Sequence, residues 1–458
     1  MPQASLETFP NELVVLIADL LSFDDLAHLC RTCTRMSTIV GPRIWNSIEF
    51  HTVTYHMSSA ELNEPPPFMP ISQQAYHSTS GRRRGQVQQA KAEMFVNTLQ
   101  ECHANDQNRL RELCSRVKNV CTGVDCMWGR RGAGEERILV WHLLPYFTDL
   151  ETLELHGDCL NEQSCEQIMG GIVGAPLPRL RFAKLFAYIP REVARWVLKS
   201  GPSLERLELG LLDRPISSCV GGLPKFKPLV EEKLDPDSDN DSNDDESDFG
   251  SLNGEAVIPR PLGCLFTDNL EPNLPRLRVM YLLSTTASPK QQGTVEYTWS
   301  TRAQEASLSD WRRLLLACSG TLETLVLEQR PGADLFETDE ICEQDYPRLN
   351  QDGSINRELV HLVQRLLGEK DALPALQRVY LYGFAVGENG AGRPSDTAYG
   401  GQLMLDLERH GLRCEARLGK WCLFDSGPGY VFWCDWDDEN VRDDDEDMQT
   451  WDTLLAQV

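Results

Sequence analysis

A short leucine pattern, L-x-x-(L/V/M/A)-x-L, constrains the fold of this chain more than any other feature of its sequence. Its six copies occupy 150–155, 180–185, 204–209, 277–282, 322–327 and 376–381. The last two apolar positions are two residues apart, which places both on the same face of a β-strand. Segments with helical periodicity precede several copies, among them 191–199, 310–318 and 357–367. Repeated helix-then-strand order predicts an α/β fold, with parallel strands side by side and helices covering them.

The copies are unevenly spaced, which indicates insertions between the repeating units. Leu180 and Leu204 are 24 residues apart, whereas Leu204 and Leu277 are 73 residues apart. Weaker copies at Val117–Val120 and at Leu412–Cys414 extend the series at both ends. We therefore expect an irregular α/β solenoid over 91–420, although a different α/β arrangement of the same elements stays open.

Charge is concentrated in two acidic tracts. The 458-residue chain has 69 Asp and Glu against 44 Lys and Arg, a net charge of −25. Residues 235–248 contribute −8 and residues 435–452 contribute −9, which leaves −8 for all other residues. Such acidity argues against nucleic acid or an anionic membrane as the main partner. With no signal peptide and no apolar run near the ~20 residues of a membrane span, we expect a cytoplasmic or nuclear protein.

Three further segments are predicted from local composition. The acidic insertion, about 231–256, is expected to be disordered because its charges repel and it has few apolar residues. The proline-containing stretch 57–90 is expected to be a flexible linker. Residues 421–458 are predicted to form an aromatic hairpin, with a turn at Gly427-Pro428-Gly429, followed by an acidic tail. We expect the hairpin to cap the array; an aromatic ligand pocket is the alternative.

The first forty residues predict a helical module that binds a partner. Pro10 suits the first turn of a helix, and Leu13, Ile17 and Leu20 follow at helical spacing. The run Val14–Ile17 is apolar on every side of that helix, and a helix of this kind is normally buried on every side. A unit of about 40 residues has too small a core to bury it, so a partner is expected to cover the rest.

These residues resemble an F-box. The resemblance rests on a set of motif positions: Phe9-Pro10-x-Glu12-Leu13, Ile17, Leu20, Asp25-Leu26, Leu29, Cys33-x-Arg35 and Trp45. It implies an F-box module over 6–50 that binds the Skp-type adaptor of a cullin–RING ubiquitin ligase. It also implies which residues lie at or just beneath the adaptor contact, namely Pro10, Leu13, Ile17, Leu20 and Leu26.

The repeated pattern in turn resembles leucine-rich repeats, whose strands line the inside of a horseshoe. Residues beside the buried leucines then face away from the helices, because side chains alternate along a strand. In the later copies these positions hold Tyr281, Arg378, Tyr380 and Tyr382, residue types enriched at binding hot spots. We expect them to bind a target protein; the alternative is that exposed strand positions simply favour aromatic residues.

No motif for catalysis or for a cofactor was found. The chain has no nucleophile elbow, no P-loop and no H-E-x-x-H motif, and its nine histidines are dispersed. Cys30-x-x-Cys33 has metal-ligand spacing but lacks a second pair, so we expect structural thiols and no metal. The sequence predicts a non-catalytic substrate-recognition subunit of a ubiquitin ligase; a non-degradative scaffold and an enzyme without a known motif are the alternatives.

Overall fold

The computed structural model describes residues 9–21, 23–50, 81–125, 139–158, 172–212, 261–266, 271–286, 301–334, 354–369, 372–384, 386, 394–417, 422–424 and 431–432. The helices are α1 (Asn11–Ala18), α2 (Phe23–Cys30), α3 (Thr34–Ile44), α4 (Gly81–Asn105), α5 (Gln107–Cys114), α6 (Arg191–Leu198), α7 (Thr301–Ala317), α8 (Ser354–Gly368) and α9 (Tyr399–Arg409). Short 3-10 helices span Val140–Tyr146 and Gly201–Ser203. The strands are β1 (Ser47–Phe50), β2 (Asn119–Asp125), β3 (Thr152–Asp158), β4 (Phe182–Ala187), β5 (Arg206–Leu211), β6 (Val279–Thr286), β7 (Thr324–Asp334), β8 (Arg378–Tyr382), β9 (Arg413–Arg417), β10 (Cys422–Phe424) and β11 (Val431–Phe432).

Strands β1 to β9 form one parallel sheet in which every strand pairs with the next along the chain. The mixed α/β prediction is confirmed. Strands β3 to β8 each begin two residues after the first leucine of a predicted copy, and the two weak copies form β2 and β9. The leucine pattern alone therefore located eight of the nine strands.

The apolar core lies between one face of this sheet and the helices. Strand residues such as Leu153 and Leu325 are fully buried in the same cluster as Val193 of α6, Leu314 of α7 and Val363 of α8. A second cluster lies on the opposite face, and among the described residues it contains no helical side chain. The helices thus cover the leucine face, as the period-two pattern predicts.

Backbone register is constant along the sheet despite the uneven spacing in sequence. At the start of each strand from β4 to β9, an N–H bonds to the equivalent carbonyl of the preceding strand at 2.8–3.0 Å. The pairs are Arg181 to Glu151, Glu205 to Arg181, Arg278 to Glu205, Glu323 to Arg278, Gln377 to Glu323 and Arg413 to Gln377. The insertions therefore lie in the connections between strands and do not shift the strands relative to one another.

The predicted flexible segments fall mostly outside the described residues. That holds for the acidic insertion at 231–256 and for residues 57–80 of the predicted linker. Helix α4 already begins at Gly81, ten residues before the predicted start of the array. Leu212 and Pro261 form an antiparallel bridge, so the two ends of the chain flanking the insertion meet.

The C-terminal hairpin forms, but not where we expected it. Strands β10 and β11 pair antiparallel, with Leu423 opposite Phe432. Among the described residues, β10 pairs in parallel with Gly332–Asp334 of β7 and not with β9. Strand β7 has eleven residues and β8 only five, so β7 extends past the end of its neighbour. Strand β10 pairs with the last three residues of this extension.

Among the described helices, none is both long and apolar enough to cross a membrane.

Candidate functional site

Helix α1 is apolar on two faces, and only one of them is buried. Val14 and Ala18 are buried against Met36 and Val40 of α3, which form a small core separate from that of the sheet. On the other face lie Leu13 and Leu16, exposed by 45% and 60%, and Leu20 follows in the turn after the helix, exposed by 87%. Isolated exposed leucines are common, but three at helical spacing form a continuous apolar stripe.

The structure brings together most of the residues that the sequence assigned to an adaptor contact. Pro10, Leu13 and Leu20 are exposed, and Ile17 is half-buried between them on the same side of α1. Leu26 instead packs against the small core from α2. The sequence reasoning missed Leu16, although the all-round apolar run Val14–Ile17 contained the signal.

Two polar contacts hold the ends of α1 against α3. At the first end, the Arg35 guanidinium donates hydrogen bonds to the Phe9 carbonyl at 2.5 Å and to Asn11 Oδ1 at 2.8 Å. At the second end, Arg43 Nε donates to Asp19 Oδ1 at 2.7 Å. Arg35 lies at the start of α3 and Arg43 near its end, so α1 and α3 run in the same direction.

The helical module is joined to the sheet by a strand and an aromatic cluster. Strand β1 pairs with β2, and the Asn46 carbonyl accepts N–H bonds from Lys118 and Asn119 at 2.8 and 3.0 Å. Phe95 of α4 packs against Trp45 and Phe50, with ring centroids 5.9 and 5.6 Å apart. Module and sheet are thus connected through regular hydrogen-bonded structure.

The four predicted target-binding residues are less accessible than we expected. They do lie on the face away from the helices, where Tyr281 and Tyr380 cluster around Val326. Tyr281 is only 4% exposed and Tyr380 only 8%, while Arg378 and Tyr382 are half-buried. The expectation that all four point into solvent is wrong, because alternation specifies the face of a strand but not what packs over it.

The same sheet face buries charged side chains in one row. Glu154, Lys184 and Glu208 are register partners on β3, β4 and β5, and none is more than 4% exposed. Arg206 Nε donates to Glu208 at 2.6 Å. Opposite charges on neighbouring strands offset each other's desolvation, which is costly for each charge alone.

A second buried ionic group lies further along this face. Arg330 Nε donates to Glu328 at 2.8 Å with both side chains buried, and the Tyr281 hydroxyl donates to the same carboxylate. This burial could not be predicted from the sequence, since Arg and Glu side chains are mostly exposed to solvent.

Burial raises the pKa values of several cysteine thiols in the part of the chain that the structure describes. Burial raises the pKa values of the Cys114, Cys318 and Cys414 thiols to about 12, so these thiols stay protonated at neutral pH. Burial also raises the pKa of Cys30, which with Cys33 packs against the small helical core. Within the described ranges no three His, Cys, Asp or Glu side chains are grouped for a metal ion.

The chain matches no protein-family model and no curated protein. Because its leucines are the most exposed large apolar side chains of the helical module, the stripe Leu13–Leu16–Leu20 is the first candidate site. The buried ionic face of the sheet is the second.

Proposed function

We propose that this protein is a substrate-recognition subunit of a cullin–RING ubiquitin ligase. Helices α1 to α3 serve as an F-box that binds a Skp-type adaptor, and the sheet with its helices serves as an irregular leucine-rich-repeat array that holds a target protein. The ubiquitin chemistry belongs to other subunits. This chain contributes proximity, because holding a target beside a charged conjugating enzyme raises the effective concentration of its lysines.

The exposed stripe of α1 is the observation that carries the proposal. Fully burying a leucine side chain contributes about 1.5–3 kcal/mol, so covering these three partly exposed leucines contributes several kcal/mol to the binding of a partner. The stripe includes Leu13, and Pro10 just before the helix is exposed as well; the motif resemblance assigns both to the adaptor contact. The sheet has one strand for each copy of the leucine pattern, in the order of the chain, and this supports the interpretation of the copies as repeats.

The test is a binding measurement with a charge-inserting double variant. Leu13→Asp with Leu16→Asp places two carboxylates in the contact, where each costs several kcal/mol if buried. Because both positions are exposed, the chain is expected to stay folded while adaptor affinity falls by more than about 100-fold. Met94→Asp is the matched control, since Met94 is 69% exposed but lies on α4.

Adaptor binding that survives the double change would refute the proposal. If binding is lost as expected, the half-life of captured proteins, with and without proteasome inhibition, separates a degradative receptor from a non-degradative scaffold.

A further inference from the structure

We infer that Arg35 is a positioning residue: its contacts with Phe9 and Asn11 fix the orientation of α1 and thereby present Leu13 and Leu16 to the adaptor. The inference rests on the proposed function, since it concerns the same surface. It adds Arg35 as a residue that influences the adaptor contact indirectly, through the position of α1.

Helix α1 has little of its own to hold it in place. It has eight residues and no side-chain cap at its first turn, and only Val14 and Ala18 are buried. Helices this short are marginal in water without tertiary contacts. Its position therefore depends on what ties it to α3.

Apolar packing alone does not select which side of α1 faces α3. Residues 14–17 are Val, Val, Leu and Ile, so the helix offers an apolar surface in every direction. Neighbouring residues of a helix point about 100° apart, so a roll by one residue would exchange Val14 for Leu13 in the small core. The hydrophobic effect is non-directional, so buried apolar area does not by itself distinguish the two orientations.

The Arg35 contacts determine which side of α1 faces α3. Phe9 directly precedes Pro10, so a hydrogen bond to the Phe9 carbonyl fixes where the chain begins the helix. The second bond, to the Asn11 side chain, fixes the rotation of the first turn. Together with the Arg43–Asp19 pair at the far end, they leave one arrangement in which Val14 faces inward.

Electrostatics indicate that these contacts determine the orientation of α1 more than they add to the stability of the fold. Arg35 lies at the first turns of both α1 and α3, where the positive ends of the helix dipoles disfavour a cation. Its hydrogen bonds offset this effect, so we expect Arg35→Ala to change overall stability little.

The experiment uses the full chain and a recombinant Skp-type adaptor, with association and dissociation rates measured separately. If Arg35 keeps α1 in the competent orientation, Arg35→Ala lowers the competent fraction, and the association rate falls by about tenfold while the dissociation rate stays within about twofold. Arg35→Lys keeps the charge and a donating nitrogen but lacks the planar guanidinium, so its association rate is expected to lie between those of wild type and Arg35→Ala. Arg111→Ala, an exposed arginine on α5, is the control.

Hydrogen exchange on the free protein provides the second readout. In Arg35→Ala, amides of α1 are expected to exchange faster while those of α3 keep their protection. Unchanged adaptor rates and unchanged α1 exchange would overturn the inference, and so would equal loss of protection in α1 and α3, which marks a purely structural residue. A wild-type chain that binds no adaptor refutes the proposed function itself, whereas wild-type binding with an unaffected Arg35→Ala variant refutes the inference alone.

Discussion

The carboxylate of Asp310 is buried. We predict that replacing it with an uncharged side chain stabilises the protein at neutral pH. The side chain lies on α7, is 3% exposed, and accepts the N–H of Leu265 at 2.8 Å and that of Phe266 at 3.4 Å. Burial is the largest influence and raises the Asp310 pKa to about 6, although both N–H bonds and the nearby Arg313 and Arg191 lower it. Asn in place of Asp removes the charge and keeps an oxygen acceptor for the closer N–H group, that of Leu265.

The size and sign of the effect follow from linkage. The pKa rises from 3.8 in the unfolded chain to about 6 in the fold, so the folded state binds the proton more tightly between these values. The contribution of Asp310 to the free energy of unfolding is therefore highest below pH 4 and falls as the pH rises through 6. At 1.36 kcal/mol per pKa unit the complete loss is about 3 kcal/mol, of which about half develops between pH 5 and pH 8.

Urea unfolding of wild type and Asp310→Asn from pH 5 to pH 8 tests this reasoning. The stability advantage of the variant should grow with pH by about 1.5 kcal/mol over that range. Asp106→Asn, an exposed helix cap, corrects for the loss of one negative charge. An advantage that is absent, or that does not change with pH, would show that burial does not penalise this carboxylate.

Two further predictions concern the sheet. Deleting 235–248 should shift the melting temperature by less than about 2 °C, because Leu212 and Pro261 already bring the flanking chain ends together; a fall of many degrees would show that the tract packs against the body. Lys184→Met should destabilise by about 3–5 kcal/mol in urea unfolding, because it leaves buried glutamates on both neighbouring strands. Lys118→Met, at a half-exposed lysine, should cost less than about 1 kcal/mol, and equal losses in the two variants would contradict the argument.

The sequence predicted the strands well because their signal is local. A leucine pair two residues apart marks the buried face of a strand wherever it occurs, and even the weak copies at Val117–Val120 and Leu412–Cys414 became β2 and β9. The pairing order followed from repetition alone, since each unit buries its leucine face only against its neighbours.

Two features lay beyond the reach of sequence patterns. The hairpin pairs with the part of β7 that extends past β8. How far one strand extends past its neighbour depends on the sheet as a whole. The burial of Tyr281, Tyr380 and Lys184 was missed because solvent exposure depends on distant packing, whereas period-two alternation reports only which face a side chain occupies.

The junction between the helical module and the sheet bears directly on a proximity mechanism. A subunit that works by holding two proteins at a set distance needs a connection that transmits orientation, because effective concentration falls when a linker samples many geometries. Here β1 is itself a strand of the sheet, paired with β2 from Ser47 to Phe50, and Trp45 and Phe50 pack on Phe95. The last helix of the module, α3, ends at Ile44, three residues before that strand begins. The direction in which Leu13 and Leu16 face is thereby fixed relative to the sheet, and the proposed proximity mechanism requires such a fixed relation between the adaptor contact and the surface that holds a target.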